Sequence, residues 1–234
     1  MNRVAIIPAR GSSKRIPRKN VKDFCGKPMI AWSIEAAKAS GCFDRIIVST
    51  DDQEIADVAK EWGADVPFMR PAELSDDFTG TLPVIRHAVE WLNQHNAPVD
   101  YACCLYATAP FVSTEDLKQG LQLIEDRSSS YVFSVTSYAF PIQRAIRITE
   151  HGSVAMFNPE YFQARSQDLE EAWHDAGQFY WGTAKAWSEE RTIFGEDSLP
   201  VKLPRHRVQD IDTPEDWVRA EWLFRAMQVG GGLQ

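Results

Sequence analysis

Residues 4–20 read VAIIPARGSSKRIPRKN, a short apolar run followed at once by a basic loop that contains glycine, serine and proline. The run Val4–Ile7 predicts a buried strand that ends where the loop begins. Similar runs at Arg45–Ser49, Tyr101–Tyr106 and Val132–Thr136 predict further buried strands. The chain therefore contains several short, fully apolar strands of the kind found inside parallel sheets.

Helical patterns separate these strands, and alternating strands and helices are typical of an α/β fold. We predict a Rossmann-like, mostly parallel sheet with helices on both faces. Shorter strands are expected at Asp65–Phe68 and Val208–Asp212. The predicted helices begin near Pro28, at Asp51 or Asp52, near Thr81 and at Thr114, and a last one runs from Thr213 to about Met227.

The pattern loosens after Pro141, where short strands alternate with loops. We interpret residues 1–234 as a single domain. Within it, residues 140–182 are a candidate small insertion that acts as a lid or in dimerisation.

The composition excludes several classes of protein. The 234 residues carry a net charge of -8, and an acidic chain does not favour a nucleic-acid partner. The four cysteines lack C-x-x-C spacing, which is typical of free thiols in a reducing compartment. No run approaches the roughly 18 apolar residues of a membrane helix, and the start does not resemble a signal peptide. We therefore expect a cytoplasmic protein with no membrane or nucleic-acid partner.

The loop from Ala9 to Asn20 is the first candidate site, because ligands of open α/β sheets bind beyond the carboxyl ends of the strands. It matches neither G-x-G-x-x-G nor G-x-x-x-x-G-K-[ST], which disfavours a dinucleotide-dependent dehydrogenase and a P-loop NTPase. Arginine and lysine beside backbone amides can still hold phosphates. The alternative is a solvated basic loop.

The order of residues in this loop, IPARGSSKRIPRKN followed by GKPMI at 26–30, resembles the signature of the CMP-sugar synthetases. These are the cytidylyltransferases that activate sialic acid and its relatives. Many members have glycine where this chain has Ser12. The residues that the resemblance implies at a CTP site are Arg10, Ser13, Lys14, Lys19 and Asn20, with the first three facing the triphosphate and the last the nucleoside.

Residues 70–74, RPAEL, resemble the second nucleotide-binding segment of the same family. The resemblance implies that Arg70, Thr79 and Thr81 lie near the cytosine. The alternative for Arg70 is a surface ion pair with Glu73.

Residues 210–216, DIDTPED, form a third match. Carboxylates at i and i+2 of an extended segment point to the same side, and Mg²⁺ in proteins takes one or two carboxylates plus substrate phosphates. The resemblance implies that Asp210 and Asp212 bind Mg²⁺. The alternative for Asp212 is to cap the last helix, which Thr213 can do instead.

The segments between these matches should contact the sugar, and they differ from those of ordinary sialic acid synthetases. Tyr106 stands where the Q-P-T-S-P turn has glutamine, and HDAGQ at 174–178 replaces R-P-N-G-A, whereas Arg165 matches. The sequence here looks most like the family members that use pseudaminic acid. The expected sugar contacts are Tyr106, Gln143, Arg144, Arg165, Gln167, His174 and Gln178.

The resemblance implies a homodimeric enzyme that transfers CMP from CTP to an acidic nine-carbon sugar, expected to be pseudaminic acid, and releases pyrophosphate. Arg10, Lys14 and Asp212 would be catalytic, and the identity of the general base stays open. Three alternatives remain: a synthetase for N-acetylneuraminic acid, a related acid or Kdo; a dinucleotide-dependent dehydrogenase; and a nucleotide-binding regulatory module without catalysis.

Overall fold

The computed structural model describes residues 1–229 and has the predicted α/β architecture. The main strands are β1 (Arg3–Pro8), β4 (Arg45–Ser49), β5 (Tyr101–Leu105), β6 (Tyr131–Ser137), β9 (Trp173–Thr183) and β10 (Ser198–Lys202), and two small pairs are β2 (Asp23–Phe24) with β3 (Lys27–Pro28) and β7 (Ile146–Ile148) with β8 (Val154–Met156). The helices are α1 (Met29–Ser40), α2 (Gln53–Glu61), α3 (Thr81–Gln94), α4 (Thr114–Arg127), α5 (Ala184–Ser188) and α6 (Pro214–Val229).

The six-stranded sheet has the order β10-β6-β9-β5-β1-β4. β1 is parallel to both of its neighbours, and β10 is parallel to β6. β9 runs antiparallel to β5 and β6 and joins the two parallel parts of the sheet. The mostly parallel sheet is thus confirmed, with one reversed strand inside it.

Helices cover both faces of the sheet, because its central strands are apolar on both sides. Ile34 of α1 and Leu117 of α4 pack in the core on one face. Val89 of α3 and Trp187 of α5 pack in the core on the other face. The carboxyl ends of β1, β4 and β5 remain uncovered at one edge, and this edge holds the site described below.

A third apolar cluster fixes the basic loop to α6. Ile16, from the middle of that loop, is only 2% exposed and lies with Ile211, Trp217 and Phe224. Phe24 packs edge-on against both α6 rings. Residues near the two ends of the chain are therefore held together by apolar packing, which sets the distance between the loop and the segment at 210–212.

Three strand predictions require correction. Asp65–Phe68 forms only one isolated bridge, from Asp65 to Ile47, and a second bridge joins Met69, just beyond it, to Thr50. Val208–Asp212 is not a strand. β9 was expected to lie in a loose insertion, yet it is a central strand of the sheet. The segment that leaves the sheet between β6 and β9, called the excursion below, therefore ends earlier than residue 182, because the chain re-enters the sheet at Trp173.

The excursion between β6 and β9 carries the β7–β8 hairpin and several exposed apolar side chains. Phe140 is 83% exposed and Ile148 is 69% exposed. Its role as a lid or a dimerisation element stays a prediction. Among residues 1–229, no helix combines the length and the apolar character needed to cross a membrane.

Candidate nucleotide-binding and catalytic site

A cavity of about 490 Å³ opens at the carboxyl ends of β1 and β5. It is bounded by the basic loop after β1, by the start of α3 and by the turn after β5. All of the residues predicted to bind the nucleotide line it, namely Arg10, Ser13, Lys14, Lys19, Asn20, Arg70, Thr79 and Thr81, and so do Tyr106 and Asp212.

The basic loop has an ordered backbone around this cavity. The Gly11 amide donates to Asp51 Oδ1 at 2.9 Å, and Asn20 Nδ2 donates to the Arg10 carbonyl at 3.0 Å. A side chain at position 11 would place its Cβ 2.7 Å from Asp52 Oδ2, so glycine is needed for this close approach. The Asp52 side chain is held in place, because it accepts a hydrogen bond from the Ile55 amide and caps α2.

Two cations of the loop share one carboxylate across the cavity. Arg10 Nη1 donates to Asp77 Oδ1 at 2.9 Å and to the Asp76 carbonyl at 2.8 Å, and the Lys14 ammonium pairs with Asp77 Oδ2. Hydrogen bonding from Lys14 is the main cause that lowers the pKa of Asp77, and the charges of Lys14 and Arg10 add to it. The phosphate-binding cations predicted from the sequence are thus held by an internal anion.

A second carboxylate plays the same role at the other end of the loop. Arg15 lies 2.8 Å from Asp212 Oδ2, and the Lys19 ammonium lies 3.4 Å from Asp212 Oδ1 and 2.6 Å from the Ile211 carbonyl. A triphosphate entering the cavity would exchange these carboxylate contacts for phosphate contacts, which are stronger when arginine binds in a bidentate way. The cavity is therefore suited to a multiply charged anion.

Arg70 is buried rather than paired with Glu73 on the surface, and only 7% of it is exposed. Its guanidinium donates to Ser49 Oγ at 3.1 Å and to the Ser49 carbonyl. Burial lowers the pKa of Arg70 to about 10, with a further decrease caused by Arg10, so the group remains cationic at neutral pH. It adds positive charge to the lining of the cavity.

A smaller cavity of about 340 Å³ adjoins the first, and the two share Gly80, Thr81 and Tyr106. The Tyr106 hydroxyl lies 3.2 Å from Thr81 Oγ1 in the wall between them. Burial raises the pKa of Tyr106, so its hydroxyl stays protonated. The remaining wall of the smaller cavity is apolar apart from Asp175 and Tyr180.

The donor set at 210–212 fits a divalent cation that is also held by substrate phosphates. Asp212 lines the cavity and Asp210 does not, yet the two are close enough to interact, since desolvation and then the Asp212 charge raise the pKa of Asp210. No cluster of three or more His, Cys, Asp or Glu side chains suited to a metal occurs within residues 1–229. Two carboxylates plus phosphate oxygens are typical of Mg²⁺.

Asp212 is not needed as a helix cap. Thr213 Oγ1 accepts from the Asp216 amide at 3.2 Å, and Asp216 Oδ2 accepts in return from the Thr213 amide at 2.8 Å. This reciprocal arrangement begins α6 and leaves the Asp212 side chain to the cavity.

Of the expected sugar contacts, only Tyr106 lies at the two cavities. Gln178 is buried and lines neither cavity, and its Nε2 donates to the Arg207 carbonyl at 2.6 Å. The His174 ring packs at a tilt of 60° against Tyr138, and its Nδ1 lies 2.9 Å from the Asp175 carbonyl oxygen. The residues on the excursion that line neither cavity are Gln143, Arg144, Arg165 and Gln167.

Several residues of the site had no recognisable signal in the sequence. Asp77 and Arg15 become important because they pair with cavity residues, and Asp77 lies 67 positions from Arg10. Asp175 and Tyr180 reach the smaller cavity because β9 enters the middle of the sheet. Recognising β9 as a strand would have placed both side chains at the sheet.

The comparisons with known proteins agree with this geometry. A family model described as cytidylyltransferase matches residues 4–182. The chain belongs to the cytidylyltransferase family. The matched residues include the basic loop, Arg70 and Tyr106, while Asp210 and Asp212 lie beyond them.

Individual relatives of this cytidylyltransferase match it along most of its length. It is 48% identical to the pseudaminic acid cytidylyltransferase of Campylobacter jejuni serotype O:2, over 96% of this chain and 97% of that protein. It is 33% identical to the CMP-N,N'-diacetyllegionaminic acid synthase of Legionella pneumophila, over 97% of this chain and 98% of that protein.

The fold of this cytidylyltransferase also has solved counterparts. A structure of CMP:2-keto-3-deoxy-manno-octonic acid synthetase complexed with CTP aligns with a TM-score of 0.70 at 16% identity, over 97% of this chain and 99% of that chain. At this identity the likeness supports the α/β fold alone.

Proposed function

We propose that this cytidylyltransferase transfers CMP from CTP to a nonulosonic acid, specifically pseudaminic acid, and releases pyrophosphate. The observation that carries the proposal is the convergence of the basic loop and buried Arg70 on one cavity, in a chain 48% identical to a pseudaminic acid cytidylyltransferase. An acidic chain that gathers positive charge in one cavity is suited to a small polyanion.

The triphosphate would lie along the basic loop. Arg10 and Lys14 would leave Asp77 and bind phosphate oxygens, with Ser13 donating from the same loop. Lys19 and Asn20 also line the cavity and would contact the α-phosphate and the ribose. The cytosine would contact Arg70, Thr79 and Thr81, which line the same cavity.

A Mg²⁺ ion held by Asp210 and Asp212 would neutralise charge on the phosphate oxygens and on the leaving pyrophosphate. The chain already supplies cations for the same purpose from the loop side. Arg10 and Lys14 act where negative charge develops as the leaving group departs, and such preorganised groups contribute strongly to the transition state.

The reaction forms one bond and breaks one bond at phosphorus. The anomeric hydroxyl of the sugar attacks the α-phosphorus in line, the bond from the α-phosphorus to the bridging oxygen breaks, and pyrophosphate leaves. Catalysis depends mainly on positioning and charge neutralisation. Asp212 lines the cavity and is the candidate to accept the hydroxyl proton.

The sugar would occupy the smaller cavity, because this cavity adjoins the nucleotide cavity and shares Gly80, Thr81 and Tyr106 with it. Tyr106 would contact both substrates from the wall between the two cavities. The predicted contacts on the excursion could reach this sugar only after the excursion moves or from another subunit.

Exposed apolar side chains of the excursion support a homodimer. Phe140, Ile146, Ile148 and Val154 are each more than half exposed on one short segment. Such a patch marks an interaction surface. Light scattering at several concentrations tests for the dimer, and changing Ile148 to Asp should shift it toward monomer. A cytoplasmic location stays a prediction.

The test of the function is pyrophosphate release with CTP, Mg²⁺ and a panel of sugar acids. Release with pseudaminic acid supports the proposal. Release only with N-acetylneuraminic acid or a legionaminic acid would keep the reaction and change the sugar, and the 33% identity to a legionaminic acid enzyme makes that the second candidate. CTP binding without release under any condition would indicate a regulatory module.

A further inference from the structure

The smaller cavity contains one carboxylate, and this carboxylate is attached to a tyrosine. Asp175 and Tyr180 both line the cavity, together with the apolar side chains of Leu82, Ile193 and Phe194. The Tyr180 hydroxyl donates a hydrogen bond to Asp175 Oδ2. The other carboxylate oxygen, Oδ1, accepts from the Gly177 amide at 2.8 Å. The carboxylate is thereby fixed in one orientation.

This contact determines the hydrogen-bonding character of the phenol. Asp175 accepts from the phenol, so the single proton of Tyr180 is committed to Asp175 and is not available to a ligand. Toward the cavity, the phenol oxygen then offers only lone pairs. Burial, followed by the effects of Tyr106 and Asp175, raises the pKa of Tyr180 far above its ordinary value, so the phenol keeps its proton.

An acceptor surrounded by apolar walls suits a ligand group that has an N–H beside a methyl. The acylamino substituent of an amino sugar acid has both features, since its amide can donate and its methyl can contact Leu82, Ile193 and Phe194. A hydroxyl in the same place would leave the apolar walls without a matching partner.

We propose that Asp175 is a positioning residue that fixes Tyr180 as a hydrogen-bond acceptor for an acylamino group of the sugar acid. This inference rests on the proposed function and adds the residues that select the substituent. Asp175 acts through Tyr180, because both of its carboxylate oxygens already accept hydrogen bonds, one from the Gly177 amide and one from the phenol.

The substitution Asp175→Asn tests the direction of this hydrogen bond. The Gly177 amide still requires an acceptor, which holds the new amide with its oxygen toward Gly177 and its nitrogen toward Tyr180. The phenol must then accept from Asn, and its proton turns into the cavity. The sugar N–H would meet a donor, and the cost of an unmet buried donor predicts a rise of roughly 10- to 100-fold in the KM for the sugar acid.

Tyr180→Phe removes the phenol oxygen but keeps the ring. It should raise the KM for the sugar acid by roughly 3- to 10-fold, the effect of losing one ordinary hydrogen bond. Because Asp175 acts through Tyr180, adding Asp175→Asn to Tyr180→Phe should change this KM no further. The KM for CTP should stay unchanged in all three variants.

The matched control is Glu196→Gln, which removes an exposed carboxylate from the segment of chain just after Phe194. It should leave both KM values unchanged. The proposal is overturned if Asp175→Asn raises the KM for the sugar acid by the same factor in the unaltered protein and in Tyr180→Phe. It is also overturned if Asp175→Asn changes the KM for CTP and the melting temperature together with the KM for the sugar acid. Either result would assign Asp175 a purely structural role.

Failure of the inference and failure of the proposed function give different results. If the unaltered protein releases no pyrophosphate with any sugar acid, the function is wrong whatever the variants do. If it turns over a nonulosonic acid normally but the variants behave additively, the function stands and the positioning role of Asp175 is wrong.

Discussion

Ile16 links the packing of the protein to nucleotide binding, because it anchors the basic loop in the cluster beneath α6. Its side chain is only 2% exposed. Truncating a buried isoleucine to alanine costs about 2–5 kcal/mol through lost transfer energy and the cavity left behind. In Ile16→Ala this loss weakens the docking of the loop that carries Arg10 and Lys14. We therefore expect weaker CTP binding as well as lower stability.

The size of the effect on binding follows from the population of the docked loop. Apparent affinity falls in proportion to the fraction of molecules that can bind. Once the loss exceeds the docking free energy of the loop, each further 1.4 kcal/mol, approximately, raises the Kd for CTP tenfold. A loss of stability near the middle of the range of about 2–5 kcal/mol thus predicts a clear rise in the Kd for CTP in Ile16→Ala.

The assay is isothermal titration with CTP, alongside urea unfolding. Ile34→Ala is the matched control, since Ile34 is fully buried in α1 in a separate core cluster. It should lose a similar amount of stability and keep the Kd for CTP. If Ile16→Ala loses stability yet binds CTP as tightly as Ile34→Ala, the loop does not depend on its anchor and the reasoning is refuted.

Three further predictions concern single sites. Asp212→Asn should lower kcat by roughly a hundredfold or more without unfolding the protein. The control Glu215→Gln, at an exposed position, should keep its kcat. Near-normal turnover of Asp212→Asn in a pyrophosphate assay would contradict this. Asp77→Asn should tighten pyrophosphate binding, because the loop cations lose their internal anion, and calorimetry showing weaker binding would oppose it. Gly182→Ala should lower the melting temperature, since the new Cβ would lie 2.4 Å from Trp187 Nε1; an unchanged melting curve would contradict this close packing.

The parallel part of the fold was predictable because its strands are short, apolar and bounded by turns. Arg45–Ser49 was predicted with the bounds that the structure shows, and the other parallel strands next to it were close. These strands are buried on both faces, so each one stands out locally from the polar helices around it.

The strands that were missed depend on long-range pairing. β9 includes His174 and Asp175, together with Gly177 and Gly182, and none of these is typical of a buried strand. β10 contains Pro200, which is tolerated because β10 lies at the edge of the sheet. No local period indicates that β9 runs antiparallel between two parallel sets.

The residues that line the larger cavity were predictable because most of them lie in one continuous motif after β1. The lining of the smaller cavity was harder to predict, since it depends on how distant segments of the chain come together. Gln178 shows the difficulty. Successive side chains of a strand point to opposite faces of the sheet, and the Gln178 side chain is buried, where it donates to the Arg207 carbonyl. Sequence pattern identifies such residues as polar without indicating whether they face a ligand.

The measurement that tests the central claim most directly is pyrophosphate release by the purified protein with CTP and Mg²⁺, with and without pseudaminic acid. We expect release that requires both CTP and the sugar acid, stops when the metal is chelated and produces a CMP-sugar in equal amount. No release with any nonulosonic acid, despite CTP binding in the cavity, would contradict it.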